Sequence, residues 1–145
     1  MNKKLFIDSD IILDVLTKRD EFYESAALLF DLGYEKKLNL YTTAVVLANV
    51  FYFLRKKYGT EKSKEQLKKL RLIMKVLPIN EKIVDDVLAS KFGDFEDGLQ
   101  YFSVKKSGIP VIITRNIRDY KVKDVIIQTA EEYIKINQST LFVMK

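Results

Sequence analysis

The chain has 145 residues, a net charge of +5, 48% apolar and 31% charged residues, and neither cysteine nor histidine. This length suits one domain with a sizeable core, so a single unit over residues 1–145 is expected. The missing cysteine excludes disulfides, thiolate metal centres and a cysteine nucleophile. The missing histidine removes the commonest general base and transition-metal ligand, so any metal must rest on oxygen, which points to Mg²⁺ or Mn²⁺ rather than Zn²⁺. There is no signal-peptide pattern, and no apolar run approaches the ~20 residues that span a bilayer. A cytoplasmic protein with no membrane partner is expected.

Residues 4–8 read as a short buried strand, 11–18 as a helix with Asp10 as its N-cap, and 21–37 as a second helix with apolar residues near 3.6 spacing. A short strand at 38–41 follows. Thr42 or Thr43 then caps a long helix reaching 55–58, whose residues 44–54 are apolar except Asn49, so burial on most faces is expected. Thr60 opens another helix, with Leu67, Leu70 and Met74 as its apolar stripe and Lys64, Lys68, Arg71 and Lys75 as a basic stripe beside it. Residues 76–79 read as a strand or extended link, and Asn80 caps a helix to about 91. Gly93 breaks the chain and Asp94 opens a helix to about 107. Residues 108–114 form a turn and a second strongly apolar strand, and 116–123 are irregular. A strand at 125–128, a helix at 129–135 capped by Thr129, and a strand or tail at 141–143 complete the chain. Short strands alternating with longer helices imply a helix-rich α/β fold of three layers, α/β/α, around a short central parallel sheet with right-handed connections.

In such a sheet ligands bind outside the carboxyl ends of the strands. Asp8 ends the first strand there, where an acid is expected to lie outside the core and to hold a hard cation. Asp10 is a helix cap or an outer partner of that cation. Asp94, Glu96 and Asp97 crowd three acids into four positions. Asp94 serves as an N-cap, and Asp97, one turn on, points toward the crevice. The cluster exceeds what capping requires, and a shared cation would relieve its repulsion. After the second strong strand, Thr114 and Asn116 offer neutral oxygens, Asp119 a carboxylate, and Arg115 and Arg118 phosphate contacts. Asn49 is either a satisfied buried amide or a residue facing the carboxylates. Between Arg55 and Lys75 nine Lys/Arg stand against Glu61 and Glu65, a basic patch on a slightly acidic body that suits a polyanion, or a solvated helix face.

Taken together, Leu5-Phe6-Ile7-Asp8-Ser9-Asp10-Ile11-Ile12-Leu13-Asp14, Thr42-Thr43-Ala44-Val45-Val46-Leu47-Ala48-Asn49-Val50, Asp94-Phe95-Glu96-Asp97 and Ile113-Thr114-Arg115-Asn116-Ile117-Arg118-Asp119-Tyr120 resemble the PIN-domain ribonucleases, including VapC-type toxins of toxin–antitoxin pairs. The resemblance covers about residues 4–135 and implies a Mg²⁺- or Mn²⁺-dependent endoribonuclease. It assigns the family's near-invariant Asp to Asp8, its third acid to Asp97 and its last acidic position to Asn116 or Asp119. The family's second acid falls on Asn49, which has no charge, and its usual Asn falls on Asp10, which could return that charge. The basic stripe of Lys64, Lys68, Arg71 and Lys75, with Arg115 and Arg118, would then contact RNA. The resemblance also implies a cognate antitoxin and a homodimer, to which the aromatic helix around Phe51, Tyr52 and Phe53 could contribute a face. Two other readings stand beside it. One is a catalytically weak or silent RNA- or partner-binding domain. The other is a haloacid-dehalogenase-type phosphatase, which Asp8-Ser9-Asp10 resembles although its late acidic motif would here precede Thr114 in the wrong order.

Overall fold

The computed structural model describes residues 2–142. Strands β1 (Lys4–Ile7), β2 (Asn39–Thr43), β3 (Met74–Leu77), β4 (Val111–Ile113) and β5 (Ile126–Gln128) form one parallel sheet in the order β3-β2-β1-β4-β5. The chain runs outward from β1 to β3, then returns to the other side of β1 for β4. The order therefore reverses between β1 and β4, and the carboxyl ends of those two strands flank the crevice where open α/β sheets take ligands. Phe6, Ile7, Ile112 and Ile113 are fully buried there, as strands covered on both faces require.

Helices α1 (Ser9–Leu16), α2 (Asp20–Tyr34), α3 (Ala44–Tyr58) and α4 (Thr60–Arg71) link the outward-running strands. Helices α5 (Glu81–Leu88) and α6 (Phe95–Lys106) carry the chain back from β3 to β4, so right-handed connections place the two sets on opposite faces. Ile83, Val87 and Leu99 join α5 to α6 as a small core of their own. After β5, α7 (Ala130–Ile136) packs on α2 and is followed by α8 (Gln138–Phe142).

Several local expectations change. Asp8, not Asp10, caps α1, accepting from the Ser9 backbone N–H at 2.8 Å. Thr43 caps α3, while the Thr42 hydroxyl donates to the Ile7 carbonyl. Helix α2 ends at Tyr34 rather than 37, because Lys36 adopts a left-handed φ of 61° that closes the helix. Met74 belongs to β3 rather than to the stripe of α4, whose helix stops at Arg71, and α5 ends at Leu88. Residues 138–142 are helical, where a strand or tail was expected at 141–143, and 143 lies outside the described residues. The long helix α3 is not buried on most faces. It packs through Val46, Val50 and Leu54, while Tyr52 and Phe53 are 55% and 43% exposed, because α3 lies on the outside of the sheet and meets its neighbours along one side.

Candidate active site

Asp8 follows β1 at the switch point, and it is buried: 6% of it is exposed, where an acid outside the core was expected. Hydrogen bonds make that burial tolerable. Thr114, just past β4, donates its hydroxyl to Asp8 Oδ2 at 3.0 Å, and the Tyr120 hydroxyl lies 3.3 Å from the same oxygen. Burial, then the neighbouring Asp10, push the Asp8 carboxyl up to about 7, with Asp97 adding a smaller push in the same direction. The Tyr120 hydroxyl also lies 3.1 Å from Gln100 Oε1, and both side chains are buried. With one proton, Tyr120 donates to either Gln100 or Asp8 at any moment. Burial and the facing carboxylates of Asp8 and Asp97 hold this phenol well above its usual range.

Asp10 lies in the first turn of α1. Its Oδ2 accepts from the Arg115 backbone N–H at 3.0 Å and from Asn116 Nδ2 at 3.3 Å. Its Oδ1 is buried without any hydrogen-bond partner. Burial raises its pKa despite the neighbouring Arg115. An orphaned, buried carboxylate oxygen is costly, and a cation nearby would satisfy it.

Asp94 caps α6 as expected, its carboxylate accepting from the Asp97 backbone N–H at 2.9 Å. Asp97 is half-buried one turn in, and its carboxyl is pushed up to about 6 by desolvation, then by Asp94 and Asp119. Asp8 and Asp97 thus face each other across the crevice, and Asp119 flanks Asp97 from the loop after β4. Asn116 turns to Asp10 instead, while Asp119, after Asp94, raises the pKa of Asp97. Asn49 does face this side: its amide donates to Glu96 Oε2 at 2.9 Å. A carboxylate from α6 thus stands within hydrogen-bond reach of the uncharged Asn49 on α3.

Among the described residues, no three acidic side chains stand together as a ready-made metal cage. The donor set nevertheless fits a hard divalent cation. It is entirely oxygen, it includes one orphaned buried oxygen, and its carboxylates destabilise one another's charge. Mg²⁺ in particular takes one or two carboxylates and keeps its waters, so a three-acid cage is not required.

The basic residues divide. Arg115 is not available as a phosphate contact, because its guanidinium holds Asp14 through two nitrogens at 2.9 and 3.0 Å and stacks on Phe22. Arg71 donates to the Met74 carbonyl at the start of β3, which puts it at the amino edge of the sheet, opposite Asp8. Lys75 lies one residue further along that edge strand, and Lys64 and Lys68 are exposed on α4. Arg118 and Asp119 instead line one open cleft with Asp97. Asp14, Gln100 and Tyr120 had no role assigned from the sequence, and Glu96 had one only as a member of the acidic run. Asp14 resembled an ordinary helix acid and Tyr120 an ordinary aromatic. For Glu96 the one available signal was its place within the acidic run.

Residues 4–118 match the profile of the PIN domain family, and the chain belongs to that family. It is similar to Ribonuclease VapC1 of Aquifex aeolicus (strain VF5), with 25% identity over 137 residues, covering 91% of this chain and 94% of that protein. Among solved structures, it shares its fold with VapBC2 from Rickettsia felis bound to a DNA fragment from their promoter (TM-score 0.65, 16% identity, 87% of this chain and 98% of that one). It also shares it with Mycobacterium tuberculosis VapC20, a Sarcin-Ricin loop cleaving toxin (TM-score 0.63, 14% identity, 83% and 98%). A third such structure is FitAB bound to IR36 DNA (TM-score 0.64, 19% identity, 87% and 94%). Membership of the PIN family replaces the phosphatase reading of Asp8-Ser9-Asp10. Among the described residues no helix is long and apolar enough to cross a membrane.

Proposed function

We propose that this protein is a divalent-metal-dependent endoribonuclease and the toxin of a toxin–antitoxin pair. The observation that carries the reading is Asp8, a buried acid at the switch point with Asp10 and Asp97 raising its pKa, in a chain of the PIN family. Asp8 and Asp97 would hold Mg²⁺ or Mn²⁺, with Asp119 beside Asp97, Glu96 and Asn49 at its rim, and Asp10 behind Asp8. When bound, the ion lowers the pKa of water at the site and offsets charge on the scissile phosphate. The protein's own part is positional. Thr114 and Tyr120 orient Asp8, the Asp94 cap and the N-terminus of α6 orient Asp97, and the Arg115 backbone N–H orients Asp10. Hydrolysis needs no histidine under this arrangement.

A catalytically silent binding domain would be favoured by a cation side chain filling the crevice. Arg115 instead turns away to Asp14, and among the described residues no Lys or Arg pairs with Asp8 or Asp97. The similarity to VapBC2 and FitAB supports a cognate antitoxin as partner, and the exposed Tyr52 and Phe53 on α3 support a further protein contact, such as a homodimer.

The test is cleavage of labelled structured RNAs by the purified protein with Mn²⁺, Mg²⁺ or EDTA, beside Asp8→Asn and Asp97→Asn. Metal-dependent cleavage lost in both variants is expected. Equal cleavage by the variants, or cleavage indifferent to EDTA, overturns the reading.

A further inference from the structure

The α5–α6 connection and the loop after β4 enclose an open cleft of about 950 Å³, with Lys91 and Phe92 on one wall, Arg118, Asp119 and Lys121 on the other, and Asp97 as its half-buried acid. Resting on the ribonuclease reading, we propose that this cleft is the track for a single-stranded stretch of the RNA substrate, its phosphates held by Lys91, Arg118 and Lys121.

Three features support the assignment. The first is position. Asp97 and Asp119 belong both to this cleft and to the carboxylate group around Asp8, so a strand lying in it passes beside the site of hydrolysis. The second is charge. Lys91, Arg118 and Lys121 are exposed, and among the described residues none of them makes an ion pair, whereas Lys82 and Lys105 spend theirs on Asp86 and Asp124. Cations without an acidic partner can neutralise backbone phosphates at no cost in broken salt bridges. The third is the aromatic wall. Phe92 is anchored by Tyr101 and Phe102, at ring-centroid distances of 5.2 and 6.2 Å, yet remains partly exposed to the cleft. A groove combining cations that follow a backbone with an aromatic face for bases suits a single strand better than a duplex.

The acids in the cleft matter to the balance. Asp94, Asp97 and Asp119 offset the three cations, so the cleft has no net charge until a divalent ion joins it. The α4 stripe, although more basic, leads to the amino edge of the sheet and away from Asp8. The two groups of lysines therefore make opposite predictions.

The experiment is fluorescence anisotropy with a labelled oligoribonucleotide of about ten nucleotides, within the span that single-strand grooves cover. It uses Asp8→Asn protein with Mg²⁺ so that cleavage does not intervene. Adding Lys91→Gln and Lys121→Gln should weaken binding and reduce the salt slope by about 1 for each lysine removed. Adding Lys64→Gln and Lys68→Gln should leave both unchanged. The reverse pattern, or equal binding by all forms, overturns the track. In the parallel cleavage assay with Asp8 intact, Lys91→Gln/Lys121→Gln should raise KM and leave kcat near its original value. Loss of kcat alone would overturn the track as well. Binding that follows Lys91 and Lys121 without any cleavage by the unmodified protein would overturn the ribonuclease reading and leave the track standing.

Discussion

Arg115 holds the buried carboxylate of Asp14 through Nε and Nη2, at 2.9 and 3.0 Å, while its own backbone N–H donates to Asp10 at 3.0 Å. One residue thus ties helix α1 to the loop after β4 twice, once through a buried ion pair and once through the site. Arg19 approaches Asp14 from the other side at 3.5 Å, and Phe22 covers the guanidinium.

Breaking this pair should be costly. Asp14 is 1% exposed, so Arg115→Ala leaves a buried, poorly compensated charge, and a loss of roughly 3–5 kcal/mol is expected. Replacing both partners by Met should cost much less, since no charge is then stranded. Urea unfolding of the single and double variants separates the two outcomes. A double variant as unstable as the single one would show that the bidentate pair itself, rather than the stranded charge, accounts for the loss.

This pair also shows where sequence reasoning stopped. The apolar runs of β1 and β4 disclosed the central strands, and the polar residues that end them, Asp8 and Thr114, were legible as crevice residues from position alone. Asp97 followed from the density of acids around it. Asp14 and Arg115 are 101 residues apart, and Asn49 and Glu96 are 47 apart. No local pattern reports such pairings, which arise when the sheet brings α1, α3 and α6 to one edge. The burial of Asp8 was equally hidden. An acid is buried only where several donors converge, and beside the adjacent Ser9 N–H its donors come from the distant Thr114 and Tyr120.

Metal-free protein should lose stability as the pH rises. In the unfolded chain Asp8 ionises near 3.8, whereas in the fold it does so at about 7. Below both values the two states are equally protonated and Asp8 contributes nothing. Between them the unfolded state gives up its proton first, so stability falls with pH and the penalty is complete above 7. Asp97, raised to about 6, acts in the same direction but is half-buried, so its share is smaller. Asp8→Asn should therefore be more stable than the unmodified protein at pH 8, by about 1–4 kcal/mol, and equal to it near pH 3.5. Mn²⁺ should raise the Tm of the unmodified protein at pH 8 and barely affect the variant. Thermal melts at the two pH values, with and without Mn²⁺, check both statements, and a variant less stable at pH 8 would contradict them.

Glu96 should matter to the cation although the sequence singled out Asp97, not Glu96, from the acidic run as a ligand. Its Oε2 accepts from the Asn49 amide at 2.9 Å, which holds it toward the site. Glu96→Gln should weaken Mn²⁺ binding by about tenfold, as loss of a group that orients or supplements a ligand does. Asn49→Glu should move the other way, tightening Mn²⁺ binding while lowering the stability of the metal-free protein, because two carboxylates would then meet. Calorimetric titration with Mn²⁺ measures the first effect and metal-free melting the second. Unchanged affinity in both variants would remove Glu96 and Asn49 from the site.

The placement of Asp97 depends on its neighbour Gly98. A Cβ there would stand 2.6 Å from Val87 Cγ1 and 3.3 Å from Phe92 Cβ, so glycine lets α6 lie directly against α5. Gly98→Ala forces the two helices apart or distorts Val87, costing roughly 1–3 kcal/mol, while the better helix propensity of Ala returns about 1 kcal/mol. The displacement acts on Asp97 and, through Phe92, on the wall of the cleft. RNA cleavage should accordingly lose more in kcat than stability alone explains, at temperatures well below the Tm. Val87→Ala should restore room for the new methyl, so the Gly98→Ala/Val87→Ala double variant should recover part of kcat even though removing the Val87 methyl groups costs core burial. Kinetics of the single and double variants, beside their denaturation curves, test the link. Recovery of kcat without recovery of stability would trace the defect to the position of Asp97, whereas a kcat that follows only the folded fraction would refute it.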